Sequence, residues 1–241
     1  MLEISGVHVY RQGSHILKGV DLSLSGGSLA LIGRNGMGKT TLISTIMGLL
    51  RSSEGSIRFM GQELIGKKPC LIARKGIGLV PQGKRVFRSL TVDEHLKLAF
   101  EPKRKHQADI YWNVERVYEL FPRLKERIRQ EGTRLSGGEQ QMLAIGRALV
   151  TNPSLLLMDE PSEGLSPIMM ETVIEACHRL TAAGISLLVV EQSLHFASSV
   201  SDRYAILMTG AIVQQGEFPD LLRDRQLLSA YMGISNTRVA R

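Results

Sequence analysis

The segment Gly33–Thr40, which reads GRNGMGKT, constrains the fold more than any other part of this chain. It has the pattern G-x-x-x-x-G-K-[ST], in which glycines let backbone N–H groups turn inward around a phosphate. An apolar run, Ser28–Ile32, precedes it and helical spacing follows over Thr40–Leu50, so we expect a strand, a phosphate-binding loop and a helix. The residues expected to bind a nucleoside triphosphate are Gly33, Arg34, Asn35, Gly36, Met37, Gly38, Lys39, Thr40 and Thr41.

Two side chains of this loop have distinct expected roles. Lys39 offers a positive charge to the β- and γ-phosphates, and the Thr40 hydroxyl is an oxygen ligand suited to Mg²⁺. The helix that begins at these residues also directs the positive end of its dipole at the anion. The motif therefore predicts a P-loop nucleoside triphosphatase without identifying the reaction.

The other apolar patterns indicate a parallel sheet covered by helices. Alternating apolar residues over residues 2–10 and Val20–Leu24 indicate half-buried antiparallel strands. Later strand-like segments alternate with helical patterns such as Met169–Ala183, which is typical of a parallel sheet. These segments are Ser56–Met60, Ile77–Val80, Leu155–Met158, Ile185–Val190 and Tyr204–Met208. The predicted fold class is α/β, with a RecA-like parallel-sheet core and an antiparallel β subdomain.

The middle of the chain has a different character. Thr91–Phe100 and Ile110–Leu120 have amphipathic helical spacing, with polar, basic sequence between and after them. We expect an α-helical subdomain over about residues 86–132, inserted into an α/β core of residues 1–85 and 133–241. Together they form one predicted domain.

Composition limits the class of partner. Lys and Arg number 30 against 23 Asp and Glu, and basic runs occur at Lys67–Lys68, Lys84–Arg85, Lys103–Lys105 and Arg123–Arg129. Solvated helix faces and attraction to an anionic membrane surface both explain such runs. Because aromatic residues make up 5% of the chain and none is interleaved with these runs, we expect no nucleic acid partner.

The sequence also predicts a cytoplasmic protein. Cys70 and Cys177 have neither disulfide nor zinc-ligand spacing. No stretch approaches the roughly 18 apolar residues of a membrane span. The start, Met1–Gly6, does not read as a signal peptide.

Two acidic residues follow the buried run Leu155–Met158. Asp159 and Glu160 would lie at the carboxyl edge of the sheet, where open α/β folds bind ligands. We expect Asp159 to hold Mg²⁺ through water and Glu160 to act as general base on the attacking water. An acidic pair at a strand-to-loop junction is the alternative reading.

A second glycine-rich helix start occurs at Leu135–Gln141, which reads LSGGEQQ. Ser136 and Glu139 have the spacing of a capping box. The capping box does not explain Gly137 and Gly138, which cost about 1 kcal/mol each inside a helix. A phosphate touching the backbone would explain them. Since the chain already has one phosphate loop, this second site would serve the nucleotide of another subunit.

The segment Leu135–Gln141 resembles the signature of ABC transporter ATPases, and the likeness extends over nearly the whole chain. The resemblance implies ATP and Mg²⁺ as ligands, with Ser136, Gly137, Gly138 and Glu139 facing the ATP of the partner subunit. Gln82 matches the Q-loop glutamine of the family. The resemblance therefore makes Gln82 a third metal ligand, beside Thr40 and Asp159. Glu191-Gln192 occupies the switch position, which makes Gln192 catalytic beside Glu160.

The segments Gln140–Leu149, Val117–Leu124 and Val190–Gln192 narrow the likeness to the second ATPase of branched-chain amino-acid importers (the LivF type) and of urea and short-amide importers. The resemblance implies a sister ATPase subunit, in a heterodimer or a homodimer, two permease subunits and a periplasmic binding protein. It also implies a peripheral position on the inner face of the cell membrane, with Gly83–Leu98 beside a permease groove.

Three positions depart from the usual pattern of this family. The switch residue is Gln192 rather than His, and Ser166 replaces the usual Asp of the D-loop segment Ser162–Ser166. The position of the adenine-stacking aromatic is Arg11, with Tyr10 beside it, and a guanidinium can also stack on a base. A non-transport ABC ATPase and a P-loop small-molecule kinase are the alternative functions, and the sequence leaves the transported substrate open.

Overall fold

A computed structural model describes residues 1–100 and 111–232 of the chain. The predicted basic run Lys103–Lys105 lies outside the described residues. The described strands are β1 (Leu2–Arg11), β2 (Ser14–Leu24), β3 (Ser28–Ile32), β4 (Glu54–Phe59), β5 (Gln62–Glu63), β6 (Ile77–Val80), β7 (Leu155–Asp159), β8 (Ser186–Glu191), β9 (Arg203–Met208) and β10 (Ala211–Glu217). The described helices are α1 (Lys39–Ile46), α2 (Pro69–Ala73), α3 (Val92–Ala99), α4 (Val114–Leu120), α5 (Pro122–Glu126), α6 (Gly137–Leu149), α7 (Pro167–Ala182), α8 (Leu194–Val200), α9 (Phe218–Arg223) and α10 (Arg225–Met232).

The chain divides into two compact units. The first consists of Met1–Pro69 with Leu188–Arg241, and the second of Cys70–Leu187. The predicted helical segment 86–132 falls within the second unit, where it contains α3, α4 and α5. Its bounds as a subdomain stay a prediction.

The antiparallel sheet of the first unit has the strand order β2-β1-β4-β5. On β1, Ile4 lies opposite Leu22 of β2 and Ile57 of β4. The apolar residues that alternate along β1 are buried, as the period-two pattern predicts: they are Leu2, Ile4, Val7 and Val9. This sheet is the predicted antiparallel subdomain.

A second sheet in the first unit holds the phosphate loop. β3 pairs in parallel with β9, and β10 pairs with β9 in antiparallel orientation. Buried residues of β3, β9, α8, α9 and α10 form one apolar cluster: Ala30, Ile32, Ala197, Tyr204, Ile206, Phe218, Leu221 and Leu228. The loop after β3 is thus attached to a closely packed core.

In the second unit, β6 and β7 pair in parallel, with Ile77 opposite Leu155. All five residues of β7 are buried, as expected for a strand that is covered on both faces. Parallel pairs in both units, together with the antiparallel sheet, confirm the predicted α/β class.

Several element bounds differ from the sequence prediction. The helix predicted over Thr40–Leu50 ends at Ile46, because the Leu49 N–H turns back to Ser44 O at 2.8 Å. Ile110, the first residue of the helix predicted over Ile110–Leu120, lies outside the described residues, and the described helix begins at Val114, with Asn113 as its N-cap. Strand β2 begins earlier than Val20, at Ser14, and strand β10 was not predicted.

Candidate functional site

Helix α1 begins at Lys39, directly after the glycine-rich loop. Its N-cap is Gly38, whose φ of 106° lies in a region that favours glycine. A Cβ on Gly38 would come within 2.9 Å of the Leu17 side chain, and one on Gly33 within 2.4 Å of Leu207 O. Both glycines of the motif are therefore required by the packing of the loop as well as by its predicted ligand.

The Lys39 side chain closes the loop on itself. Its ammonium donates hydrogen bonds to Gly33 O at 2.8 Å, to Arg34 O at 3.2 Å and to Asn35 Oδ1 at 3.5 Å. Only 4% of the residue is exposed. The positive charge predicted to face the phosphates is thus fixed inside the curve of the loop.

The remaining residues of the loop leave its outer side open to solvent. Arg34, Asn35, Gly36 and Thr40 are exposed. Met37 attaches the loop to the turn between β9 and β10, since its carbonyl accepts a hydrogen bond from Gly210 N at 3.1 Å. Local sequence patterns could not predict this anchor, because the turn and the loop are far apart along the chain.

The end of β8 meets the start of the same loop. Gly33 N donates to Glu191 O at 3.3 Å. The buried Glu191 carboxylate accepts from the backbone N–H groups of Gln192 at 3.0 Å and Ser193 at 3.2 Å. Gln192 is exposed. The first unit thus brings the predicted switch residue beside the predicted phosphate loop.

The two candidates for the adenine contact lie at the end of β1. The Tyr10 ring stacks on His15, with centroids 4.2 Å apart and an interplanar angle of 11°. His15 in turn stacks on His8 at 5.1 Å. Tyr10 and Arg11 are both exposed, so the contact predicted for Arg11 stays a prediction.

The predicted carboxylates lie in the second unit, at the end of β7. Asp159 is 3% exposed. The next residue, Glu160, has a φ of 49°, a left-handed conformation that is uncommon outside glycine. The Gln82 amide donates to Glu160 Oε2 at 2.9 Å and to Glu163 Oε2 at 3.2 Å. The structure thus brings Gln82 and Glu160 together, two residues that the sequence separates widely.

The signature segment opens α6 through a capping box. Glu139 N donates to Ser136 Oγ at 3.3 Å, and Ser136 N donates to Glu139 Oε2 at 2.8 Å. The capping box predicted for these two residues is therefore present. A capping box is compatible with a helix N-terminus that faces a phosphate. The packing of α7 supplies a second reason for Gly138, because a Cβ there would lie 2.3 Å from the Met169 side chain.

Ser166, which departs from the usual D-loop pattern, caps α7. Its side chain accepts a hydrogen bond from Met169 N at 3.4 Å. Aspartate and serine are comparable N-caps, so the replacement preserves the start of this helix.

Two basic residues of the run Arg123–Arg129 are paired with acids. Arg123 lies 3.2 Å from Glu126, and Arg127 lies 3.7 Å from Glu139. Exposed pairs of this kind contribute little to stability. They favour the solvated-face explanation for this run.

Within residues 1–100 and 111–232, no helix is long and apolar enough to cross a membrane.

Comparison with known proteins places these features in context. The family model described as ABC transporter matches residues 17–163. The chain is 42% identical over 236 residues to the high-affinity branched-chain amino acid transport ATP-binding protein BraG of Pseudomonas aeruginosa, covering 97% of this chain and 100% of that protein. It is 33% identical to the probable branched-chain amino acid transport ATP-binding protein LivF of Archaeoglobus fulgidus, covering 91% and 93%.

Solved structures show the same similarity. A nucleotide-free ATP-binding cassette from an ABC transporter superposes with a TM-score of 0.81 at 26% identity, covering 97% of this chain and 98% of the other. The ADP conformation of an ATP-binding cassette of an ABC transporter superposes with a TM-score of 0.79 at 28% identity, covering 97% of this chain and 99% of the other.

Proposed function

Because this chain belongs to the ABC transporter family, as an ATP-binding subunit that hydrolyses ATP to power transport, we propose that it drives the import of branched-chain amino acids. The observation that carries this proposal is the 42% identity to BraG over 97% of this chain and the full length of that relative. Relatives described as LivF and LivG of branched-chain amino acid transport also support it.

The predicted roles of the site residues fit this function. Gly33–Thr41 would bind the phosphates of ATP, with the Lys39 charge already inside the loop. Thr40, Gln82 and Asp159 each offer the oxygen ligands that Mg²⁺ prefers, and the ion would neutralise phosphate charge. Glu160, fixed by Gln82, would take the proton of the attacking water.

Gln192 would be a further polar group that positions the attacking water. Gln192 is exposed directly after the β8 residue that bonds the phosphate loop, which suits a contact with the γ-phosphate. Arg11 or Tyr10 would contact adenine, and the stacking of Tyr10 on His15 makes an aromatic surface available there.

Assembly is part of the proposal. The start of α6, from Ser136 to Glu139, would contact the ATP held by a sister ATPase subunit, and Ser136 and Gly137 are exposed there. The complete system would add two permease subunits and a periplasmic binding protein, with this chain on the cytoplasmic side of the membrane. No nucleic acid partner is proposed.

Uptake measurements test the proposal. We expect deletion of the gene from its source cells to abolish uptake of radiolabelled leucine, isoleucine and valine, while uptake of urea and acetamide continues. The wild-type gene should restore uptake, and a gene carrying Lys39→Ala should not. Unchanged leucine uptake with loss of urea or acetamide uptake would assign the chain to one of the related importers instead.

A further inference from the structure

A half-buried arginine, Arg147, joins the helix of the signature segment to the loop that follows Gln82. Arg147 lies in the last turn of α6. Its guanidinium donates to Arg85 O through Nη1 at 2.9 Å and to Lys84 O through Nη2 at 3.0 Å. It also lies 5.7 Å over the Phe87 ring. The Arg147 side chain therefore contacts three of the four residues of the segment Lys84–Phe87, which we call the post-Gln82 segment.

The backbone of this segment is held in an unusual conformation. Lys84 has a φ of 63° and Arg85 a φ of 44°, and neither is a glycine. Side chains other than glycine adopt such angles when the surrounding contacts impose them. The two carbonyls that Arg147 binds belong to these two residues. The guanidinium is thus placed to impose the conformation.

His95 fixes the other end of the segment. Phe87 N donates to His95 Nε2 at 2.9 Å, and His95 Nδ1 donates to Thr91 O at 2.7 Å. The Phe87 ring stacks on the imidazole at 5.7 Å. The post-Gln82 segment is therefore attached at one end to α3 and along its length to α6.

This attachment bears on the predicted catalytic group. The segment begins two residues after Gln82, whose amide donates to Glu160 Oε2 at 2.9 Å. A shift of about 1 Å at a catalytic group can cost about 100-fold in rate. Loss of the Arg147 contacts would release the segment and so disturb the hydrogen bond between Gln82 and Glu160.

We propose that Arg147 is a positioning residue for ATP hydrolysis, which holds the post-Gln82 segment against the signature helix and thereby fixes Gln82 against Glu160. The inference rests on the proposed function only in taking Glu160 as the general base. Arginine is required because its planar fork donates to two carbonyls at once, whereas a lysine ammonium is a single point charge.

The test compares Arg147→Lys with Arg179→Lys, a matched change in the last turn of α7 at an exposed residue. Steady-state Mg·ATP hydrolysis is measured at a protein concentration where wild-type specific activity has reached its plateau. We expect Arg147→Lys to lower kcat about tenfold while KM for ATP stays within about twofold. Arg179→Lys should match wild type in both.

A double-mutant cycle separates positioning from general support of the fold. If Arg147 acts through Gln82, Arg147→Lys should lower kcat far less in a Gln82→Ala background than in wild type. If Arg147→Lys lowered kcat by the same factor in the Gln82→Ala background as in wild type, the proposal would be overturned. Wild-type kcat in Arg147→Lys would also overturn it. An inactive wild-type protein would instead count against the proposed function.

Hydrogen exchange gives a readout that does not depend on activity. The Phe87 amide should exchange at least about tenfold faster in Arg147→Lys than in wild type, with the amides of β7 unchanged. If Arg147→Lys does not fold, Phe87→Leu removes the ring beneath the guanidinium and should speed exchange at Arg85. Unchanged exchange in the folded variant would overturn the proposal.

Discussion

The Gln82 side-chain amide donates a hydrogen bond of 2.9 Å to Glu160 Oε2. Glu160 is held with a φ of 49°, and its carbonyl accepts from Glu163 N at 3.1 Å. A left-handed conformation costs about 1–2 kcal/mol in a residue with a Cβ. The turn and the amide contact together hold the carboxylate in one orientation, which is what a general base requires.

Replacing Glu160 by glutamine tests that role. We expect Glu160→Gln to bind ATP as wild type does but to hydrolyse it about 100-fold more slowly, because an amide cannot take a proton from water. The Gln oxygen can still accept from Gln82, so the local structure should persist. Turnover and nucleotide affinity are measured on the same preparations.

Glu163→Gln is the matched control for that change. Glu163 also accepts from Gln82, at 3.2 Å, but it is exposed and has no predicted catalytic role. Its turnover should stay close to wild type. A Glu160→Gln variant with wild-type turnover would remove Glu160 from the general-base role.

Removal of the Lys39 ammonium should affect binding as well as hydrolysis. Lys39→Ala takes away the charge held at Gly33 O and Arg34 O inside the phosphate loop. We expect hydrolysis to be abolished and ATP affinity to fall at least about tenfold. Equilibrium binding of a fluorescent ATP analogue measures the affinity. Lys68→Ala, at an exposed lysine of the same unit, should bind ATP normally, and equal affinities in the two variants would contradict the assignment.

Local patterns explain which parts of the fold could be predicted. The phosphate loop and β1 were predictable because each depends on residues close together in sequence: a glycine spacing for the loop and a period-two alternation for the strand. The capping box at Ser136 was visible for the same reason. Strand β10, which reads AIVQQGE, escaped prediction, because its apolar and polar residues do not alternate and only its pairing with β9 identifies it as a strand.

Contacts between distant segments could not be predicted. The Gln82 contact with Glu160 joins residues 78 positions apart, and the contact of Arg147 with Arg85 spans 62 positions. Glu191 was recognised as part of a switch segment, but its burial and its bonds to backbone N–H groups depend on the end of β8. Local sequence patterns do not specify which side chains of two distant loops form a hydrogen bond.

His95 makes stability depend on pH. Burial lowers the pKa of His95, which is held neutral between Phe87 N and Thr91 O. The unfolded histidine titrates near pH 6.5, at about its reference value. Below that pH the unfolded state binds a proton that the folded state does not, so stability is lost as pH falls from about 6.5 toward the lower pKa of the folded state.

A substitution at His95 isolates this contribution. Thermal unfolding of wild type should show a lower Tm at pH near 5.5 than at pH near 7.5, and His95→Gln should show a smaller decrease. His195→Gln, at an exposed histidine, should retain the wild-type decrease. Equal pH dependence in wild type and His95→Gln would contradict this account.

Assembly should be visible in the concentration dependence of hydrolysis. If the start of α6 contacts the ATP of a partner subunit, the rate of hydrolysis should rise more than linearly with protein concentration, so that specific activity increases until the dimer forms. Ser136→Arg should disable hydrolysis while ATP binding at its own phosphate loop is retained. A monomer with constant specific activity would exclude the shared site.

Ser136→Arg also removes a helix cap worth about 1 kcal/mol. Thr91→Ala is the matched control, because Thr91 forms a capping box with Glu94 at the start of α3. It should lower Tm by a similar amount and leave turnover close to wild type. Equal loss of turnover in both variants would assign the effect to lost stability.

Gln192 offers the sharpest test of the switch position. Its backbone N–H is held by the Glu191 carboxylate at 3.0 Å, so a change of side chain should leave the main chain in place. A neutral amide can both donate and accept hydrogen bonds, and some GTPases use a glutamine to orient the attacking water. We expect Gln192→Ala to lower turnover at least ~10-fold, about 1.4 kcal/mol of barrier, with ATP affinity little changed.

The pH profile distinguishes the glutamine from a histidine at this position. Glutamine does not titrate, so wild-type activity should show no ionisation of this residue near pH 6–7, whereas Gln192→His should stay active and gain a pH dependence there. The measurement is the steady-state rate of ATP hydrolysis from about pH 5.5 to about pH 8.5. Gln215→Ala, at an exposed glutamine, is the control and should match wild type. Turnover of Gln192→Ala within about twofold of wild type would exclude Gln192 from the mechanism, because a group that orients the attacking water contributes far more than that.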